Sequence, residues 1–185
     1  MRITAGEFRG RRLAVPSVAG LRPTSAKVRQ ALFNIIPPLL RGGHLRGARL
    51  LDLFAGSGII AIEALSRGAS HVTSCESDAQ ALRAMREVAD TLNLSPTQWQ
   101  QLHHPLPLAL TALQGQHFDL VFADPPYRQP LAKHIPTWLE KQQISCDLLV
   151  VEEATDTPLT WPQHWQEVTS PRRYGHTTLH FIHRT

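Results

Sequence analysis

Two short segments carry residues whose types and spacing could do chemistry. The first is LLDLFAGSGIIAIEAL, residues 50–65, where Asp52 stands four residues before Gly56 and six before Gly58. Glycines between a strand and a helix let the backbone turn tightly and approach a ligand closely. The helix that follows would offer free N–H groups at its start. The second is FDLVFADPPYR, residues 118–128, in which an apolar run ends on Asp124 and then Pro125, Pro126 and Tyr127. Each proline fixes its own φ, lacks an N–H and pushes its predecessor extended. The segment is therefore a stiff loop with an acid and free carbonyl oxygens. That fork of acceptors suits an exocyclic NH2 on a planar base, and Tyr127 offers a stacking face worth about 1–3 kcal/mol. Asp-Pro-Pro on its own is an ordinary turn; the glycine turn upstream gives it significance.

The cofactor reading starts from two alternatives. Residues 56–61 fit GxGxxA, a variant of the dinucleotide fingerprint, and Glu76 follows Gly58 by 18 residues, where an acid could accept from ribose hydroxyls. An NAD-binding oxidoreductase fits that much. Asp52 argues against it, because an acid beneath the turn suits a cationic ligand better than a pyrophosphate. S-adenosylmethionine (SAM) is such a ligand, with a sulfonium and an ammonium group. A base amine is a poor nucleophile because its lone pair is delocalised. Two acceptors drawing on its hydrogens free that lone pair, and alignment with an activated methyl can supply up to about 7–11 kcal/mol of a barrier. Asp124 could then take the released proton.

These segments need elements to position them. Val28, Ala31, Leu32, Ile35 and Ile36 form one stripe, which predicts a helix over 25–36, capped by Thr24 or Ser25 and stopped by Pro37-Pro38. RGGHLRG, 41–47, reads as a glycine-rich linker. Beyond it, strands ARLLDLF, HVTSCE, TQWQQLH, FDLVFAD and DLLVVEE alternate with helices near 58–67, 78–92, 107–113 and 131–141. Alternation of this kind implies a mostly parallel sheet with helices on both faces. The tail reads as two strands turning near Tyr174-Gly175, an antiparallel edge. In such a sheet Gly56, Glu76 and Asp124 share the crevice at the carboxyl ends of the strands. The domain reading is a basic arm at 1–23, a helix and linker at 24–47, and the main domain at 48–185.

Charge adds a partner. Residues 1–49 hold ten Lys or Arg against one acid, net +9, while the rest carries net −5. A basic arm on an acidic body suggests a polyanion. The chain has no apolar stretch of membrane-spanning length, and its opening MRITAGEFRGRRL lacks the apolar region of a secretory signal. Cys75 and Cys146 read as reduced thiols in a cytoplasmic protein. The ten histidines form no Cys/His cluster, so no metal is expected.

DxFAGSG resembles the SAM-binding loop of class I methyltransferases, and DPPY resembles the (N/D/S)PP(Y/F/W) motif of amino-methylating ones. ITAGEFRGRRLAVP with LRPTSAKVRQALFNII is similar to the start of the RsmD family, bacterial methyltransferases of guanine N2 in 16S ribosomal RNA. LLDLFAGSGIIAIEALSRGA and FDLVFADPPY match that family too. The resemblance implies an α/β class I SAM-dependent methyltransferase fold, Rossmann-like, with a seven-stranded mostly parallel sheet, an antiparallel edge and a small N-terminal β-hairpin extension. It implies that Asp52, Phe54, Ala55, Gly56, Ser57, Gly58 and Glu76 hold SAM, which leaves as S-adenosylhomocysteine. Asp124, Pro125, Pro126 and Tyr127 would hold the guanine, and Arg9, Arg11, Arg12, Arg22 and Arg29 would contact RNA. It further implies a monomer acting on 16S rRNA, free or in a 30S particle. The family's acid or amide after the third strand is missing from QLHHPLPLAL, where His103 or His104 would stand in. Adenine-N6 methylation of DNA or RNA, and a non-catalytic RNA-binding module, remain alternatives.

Overall fold

The computed structural model describes residues 2–13, 25–126 and 129–185. Eight strands form one sheet: β1 (Arg49–Leu53), β2 (His71–Glu76), β3 (Trp99–His103), β4 (His117–Ala123), β5 (Ser145–Ala154), β6 (Trp165–Glu167), β7 (Arg172–Tyr174) and β8 (Thr177–Arg184). Their order is β3-β2-β1-β4-β5-β8-β6, with β7 also paired to β8. The first five strands run parallel, and β8 runs antiparallel to β5, β6 and β7. The expected seven-stranded sheet is present, with short β7 added at its antiparallel edge. β1 and β4 are central and nearly fully buried, which explains their unbroken apolar runs.

Four helices cover the sheet: α1 (Ala26–Leu39), α2 (Ile59–Ser66), α3 (Ala79–Thr91) and α4 (Ile135–Lys141). Leu32, Phe33, Ile36, Ile62, Leu82 and Met85 from α1, α2 and α3 pack with Leu50, Phe122 and Phe181 in one cluster. Leu110 and Leu113 of a 3-10 turn, and Ile135 and Leu139 of α4, pack with Leu51, Val121 and Val151 in a second. Pro37-Pro38 does not stop α1. The helix runs through both and closes where the Leu40 N–H donates to Pro37 O at 3.1 Å. Proline's fixed φ is helical, so the chain continues through both, although each forfeits its bond to the carbonyl four residues back and crowds that carbonyl with its ring. The 131–141 segment is split into a 3-10 turn at Ala132–His134 and α4, with Pro136 in the first turn of α4 where proline is tolerated. No helix among the described residues is long and apolar enough to cross a membrane.

The described part of the arm is a hairpin closed by an Arg2–Arg12 bridge, with the Gly10 N–H donating to Ile3 O at 3.0 Å. Its turn sits on the last turn of α2, the end remote from the glycine turn. The Glu7 and Phe8 N–H groups donate to Ser66 O and Oγ at 2.7 and 2.9 Å, and Ser66 Oγ donates to Ala5 O at 2.6 Å. Ile3, Phe8 and Leu13 are buried in the first cluster. Residues 14–23, the rest of the expected arm, lie outside the described residues, as does Thr24, one of the two expected helix caps.

Glu63, wholly buried in α2, fastens this assembly. It accepts from the Thr4 N–H at 2.8 Å and Thr4 Oγ1 at 2.9 Å, and pairs with Arg67 at 3.4 Å and Arg29 at 3.6 Å. Arg29 itself is only 3% exposed and donates to Arg2 O at 3.1 Å. The expectation that Arg29 contacts RNA is therefore overturned: its guanidinium is committed to the core. Burial lowers its pKa, and the Glu63 charge opposes that shift. Removing one partner of a buried pair strands the other, at about 3–5 kcal/mol. Glu63→Ala should lower unfolding stability by that order in urea titration.

Candidate active site

The turn after β1 is shaped by backbone bonds that side-chain acids accept. Phe54 leaves the strand at φ 60, a left-handed conformation that costs a residue with Cβ about 1–2 kcal/mol. The next N–H, of Ala55, donates to Cys75 O on β2 at 3.0 Å. The Gly56 N–H donates to Glu76 Oε2 at 2.7 Å. Glu76 Oε1 accepts from the Ser77 and Asp78 N–H groups at 2.7 and 2.8 Å. Glu76 thus clamps the glycine turn to the end of β2. Gly58, at φ 71, begins α2. A Cβ there would fall 2.6 Å from the Trp99 ring and 2.9 Å from Met85 Cγ. Gly58 therefore serves close packing of α2 on the sheet, while Gly56 and half-buried Ser57 form the part of the turn nearer the crevice.

Asp52 lies beneath this turn, 1% exposed. It accepts a hydrogen bond from the Ala61 N–H in the first turn of α2, an inward cap for that helix. Its Oδ2 is buried and has no partner among the described residues. Burial pushes its pKa well up, the nearby Glu76 charge pushes further, and the Ala61 bond opposes both. An unpartnered carboxylate oxygen under a glycine turn fits a cationic group arriving above it.

Asp124 follows the last residue of β4, level with Glu152 if the Ala123–Val151 register is continued. It is partly exposed, Pro125 is buried and Pro126 is exposed. Tyr127 and Arg22 lie outside the described residues. Burial pushes the Asp124 pKa well above the usual carboxyl range, helped in turn by the charges of Glu152, Asp52 and Glu153. Glu152 and Glu153, 3% and 1% exposed, are members of this carboxylate group that the two motifs do not include. Their signal is nonetheless in the sequence: two acids closing an apolar strand, the pattern that marks Asp52 and Asp124. The Ala154 N–H donates to Glu153 Oε1 at 2.8 Å. His103 pairs in register with Glu76, with Nε2 3.2 Å from Ser77 O, which puts it on the crevice rim where the family's acid or amide is missing.

The structure thus gathers Asp52, Phe54, Ala55, Gly56, Ser57, Gly58, Glu76, Asp124, Pro125 and Pro126 at the carboxyl end of the sheet. The crevice opens where chain winding reverses between β1 and β4, the place where open α/β sheets bind ligands. Arg9, Arg11 and Arg12 are exposed on the arm, apart from this group, with the Arg11 guanidinium 5.4 Å from the Phe8 ring centre. At the opposite end of the sheet, ligand atoms of His117, Asp119 and Asp147 lie within 4.8 Å of one another. Each is already engaged, Asp119 by the Arg49 N–H at 2.7 Å, Asp147 by Arg41 at 3.0 Å and His117 by Ser145 Oγ at 2.9 Å. Cys75 and Cys146 are free thiols, and burial, aided by neighbouring carboxylates, pushes both up to about 12.

The raised pKa values of Asp52 and Asp124 carry a sign. Each keeps its proton in the folded state at pH values where the unfolded chain has lost it. Stability must then fall as pH rises from the ordinary carboxyl range, near 4, towards the raised values. Urea unfolding across that range should show this negative slope, and Asp52→Asn should flatten it.

The chain matches the family described as Conserved hypothetical protein 95 over residues 1–183. It is 38% identical to Ribosomal RNA small subunit methyltransferase D of Haemophilus influenzae, covering 89% of this chain and 84% of that protein. The protein of the same name in Escherichia coli K12 is 33% identical, covering 94% and 87%. Among solved structures, the putative methyltransferase yhhF of Escherichia coli superposes with a TM-score of 0.84 at 31% identity, covering 100% of this chain and 97% of that one. A hypothetical protein of Thermus thermophilus gives 0.78 at 28%, covering 99% of each. Likeness at this level, along almost the full length of each partner, places the chain by fold and sequence together: it belongs to the RsmD family.

Proposed function

We propose that this protein transfers a methyl group from SAM to the exocyclic N2 amine of a guanine in 16S ribosomal RNA. The observation that carries the reading is Asp124, held by two prolines at the end of β4 in the crevice that the glycine turn borders. The names of the relatives supply the ribosomal RNA. The N2 amine of guanine is the finer choice, since an adenine N6 amine would meet the same acceptors.

The donor set fits the cofactor. Asp52 lies under the turn for its cationic end, Gly56 and Ser57 line the approach, and Glu76 Oε2, which accepts only from Gly56, has a lone pair left for a ribose hydroxyl. Bound there, SAM would supply a sulfonium-activated methyl group. Asp124 and a carbonyl of the proline loop accept from the two N–H bonds of the amine, which orients it and raises its nucleophilicity. When the nitrogen becomes methylated, one N–H bond breaks and the proton passes to an Asp124 oxygen. The surroundings that raise the Asp124 pKa make its carboxylate the stronger base for that proton. A guanine in folded RNA must be unstacked to reach this depth, at a cost of a few kcal/mol that is least in a loop. We take the substrate to be 16S rRNA, free or within a 30S particle in the cytoplasm, and the enzyme to act as a monomer.

The test is product identification. Protein and labelled SAM are incubated with small-subunit rRNA, free and as 30S particles, from cells lacking the gene, and the nucleosides are identified by mass. N2-methylguanosine is expected, and N6-methyladenosine would overturn the substrate assignment. Asp124→Asn should slow methyl transfer by about 10²–10⁴-fold in single-turnover assays with cofactor affinity retained. Asp52→Asn should act chiefly on the cofactor, weakening SAM in equilibrium binding.

A further inference from the structure

The segment SPRRYGH, residues 170–176, holds two arginines and no acid. It forms β7 and the turn into β8, at the same end of the sheet as Asp124. Arg172 and Arg173 are exposed, and neither takes part in an ion pair among the described residues. Tyr174 is half-buried against the first core cluster and pairs with Thr177 across a two-residue turn. The turn opens on Gly175 at φ 64, the left-handed residue that a tight hairpin of this kind requires.

This tip is fixed to the reaction centre. The Thr155 N–H donates to His176 O at 2.9 Å, and Thr155 Oγ1 donates to Gly175 O at 3.2 Å. Thr155 follows Ala154, the last residue of β5, and Ala154 pairs with Thr177. Asp124 is level with Glu152, two residues back along β5, or about 7 Å; β7 lies three strand spacings from β4, or about 14 Å. Arg172 pairs with Leu179 and Leu179 with Glu152, so two uncompensated guanidinium groups stand on a rigid hairpin about 14 Å across the sheet from the acid that would receive the base. The described part of the arm is anchored at the far end of α2, so its hairpin does not supply the cations of this rim.

We propose that the β7–β8 hairpin is a second RNA-contact surface, in which Arg172 and Arg173 hold backbone phosphates of the strand that delivers its base to Asp124. The proposal rests on the RNA-methyltransferase reading above. A basic edge strand that merely blocks strand-to-strand aggregation would look similar, and the test separates the two.

Arg172→Gln/Arg173→Gln, which keeps the side-chain stems, is compared with wild type and with the double Lys variant on small-subunit rRNA. The Gln pair should lower the slope of log K for RNA against log salt by about 1.4, or about 0.7 for each of the two phosphates no longer held, and raise the RNA KM about tenfold. SAM affinity and the melting temperature should not move, and the Lys pair should keep most of the slope. A Gln pair with unchanged slope and KM, on RNA that wild type methylates, overturns the hairpin surface and leaves the enzymatic reading standing. A wild type that neither binds nor methylates the RNA overturns both.

Discussion

The turn between β1 and α2 is held by carboxylates that accept backbone N–H groups, Glu76 from Gly56 and Asp52 from Ala61. Both acids sit at the ends of neighbouring parallel strands, so the turn is tied to the sheet from the side and from below. That tie fixes the left-handed Phe54, the packing of Gly58 on Trp99 and the start of α2. The shape of the crevice depends on it. Because acids do the holding, the site is lined with carboxyl groups from the start, and Asp124, Glu152 and Glu153 add to them.

An acidic crevice repels a polyanionic substrate. The chain resolves this conflict by separating the two kinds of charge in space. Acids lie inside, where they are largely dry; uncompensated cations lie outside, on the arm and along the rim. On the function proposed above, a phosphate chain would be held by the exterior while only a neutral, amine-bearing base passed the rim. The same burial that makes the acids costly to ionise disfavours any anion there, since a phosphate or carboxylate would lose its hydration without meeting a cation.

Most of the fold was legible in the sequence because buried parallel strands leave continuous apolar runs and their order follows from the alternation with helices. HVTSCE became β2 without a change of boundary. The glycine turn, Glu76 and the proline loop were legible because their residue types have narrow conformational uses. Other features depended on tertiary context. Arg29 sits on an amphipathic helix among basic residues, and only the fold brings it to Glu63, a lone acid in the apolar run IIAIEAL. Proline as a helix stop was misplaced by one turn: proline's φ is helical, so α1 runs through Pro37-Pro38 and ends just beyond them at Leu39. Gly58 was read for ligand approach, while the space it leaves is filled by Trp99, a residue of β3 that local spacing cannot bring to it.

The fastening of the arm to α2 has a consequence for synthesis. Thr4 waits 59 residues for its partner Glu63, and Ser66 is later still. During elongation the N-terminal segment emerges as an uncompensated polycation with no partner for its backbone or for Ile3 and Phe8. It settles only when α2 has been made and has packed on β1. The arm is therefore made before the helix it folds onto, a long-range closure that slows assembly in the manner of other non-local contacts. For that interval the nascent chain is exposed to the polyanion nearest at hand, the ribosome that is making it.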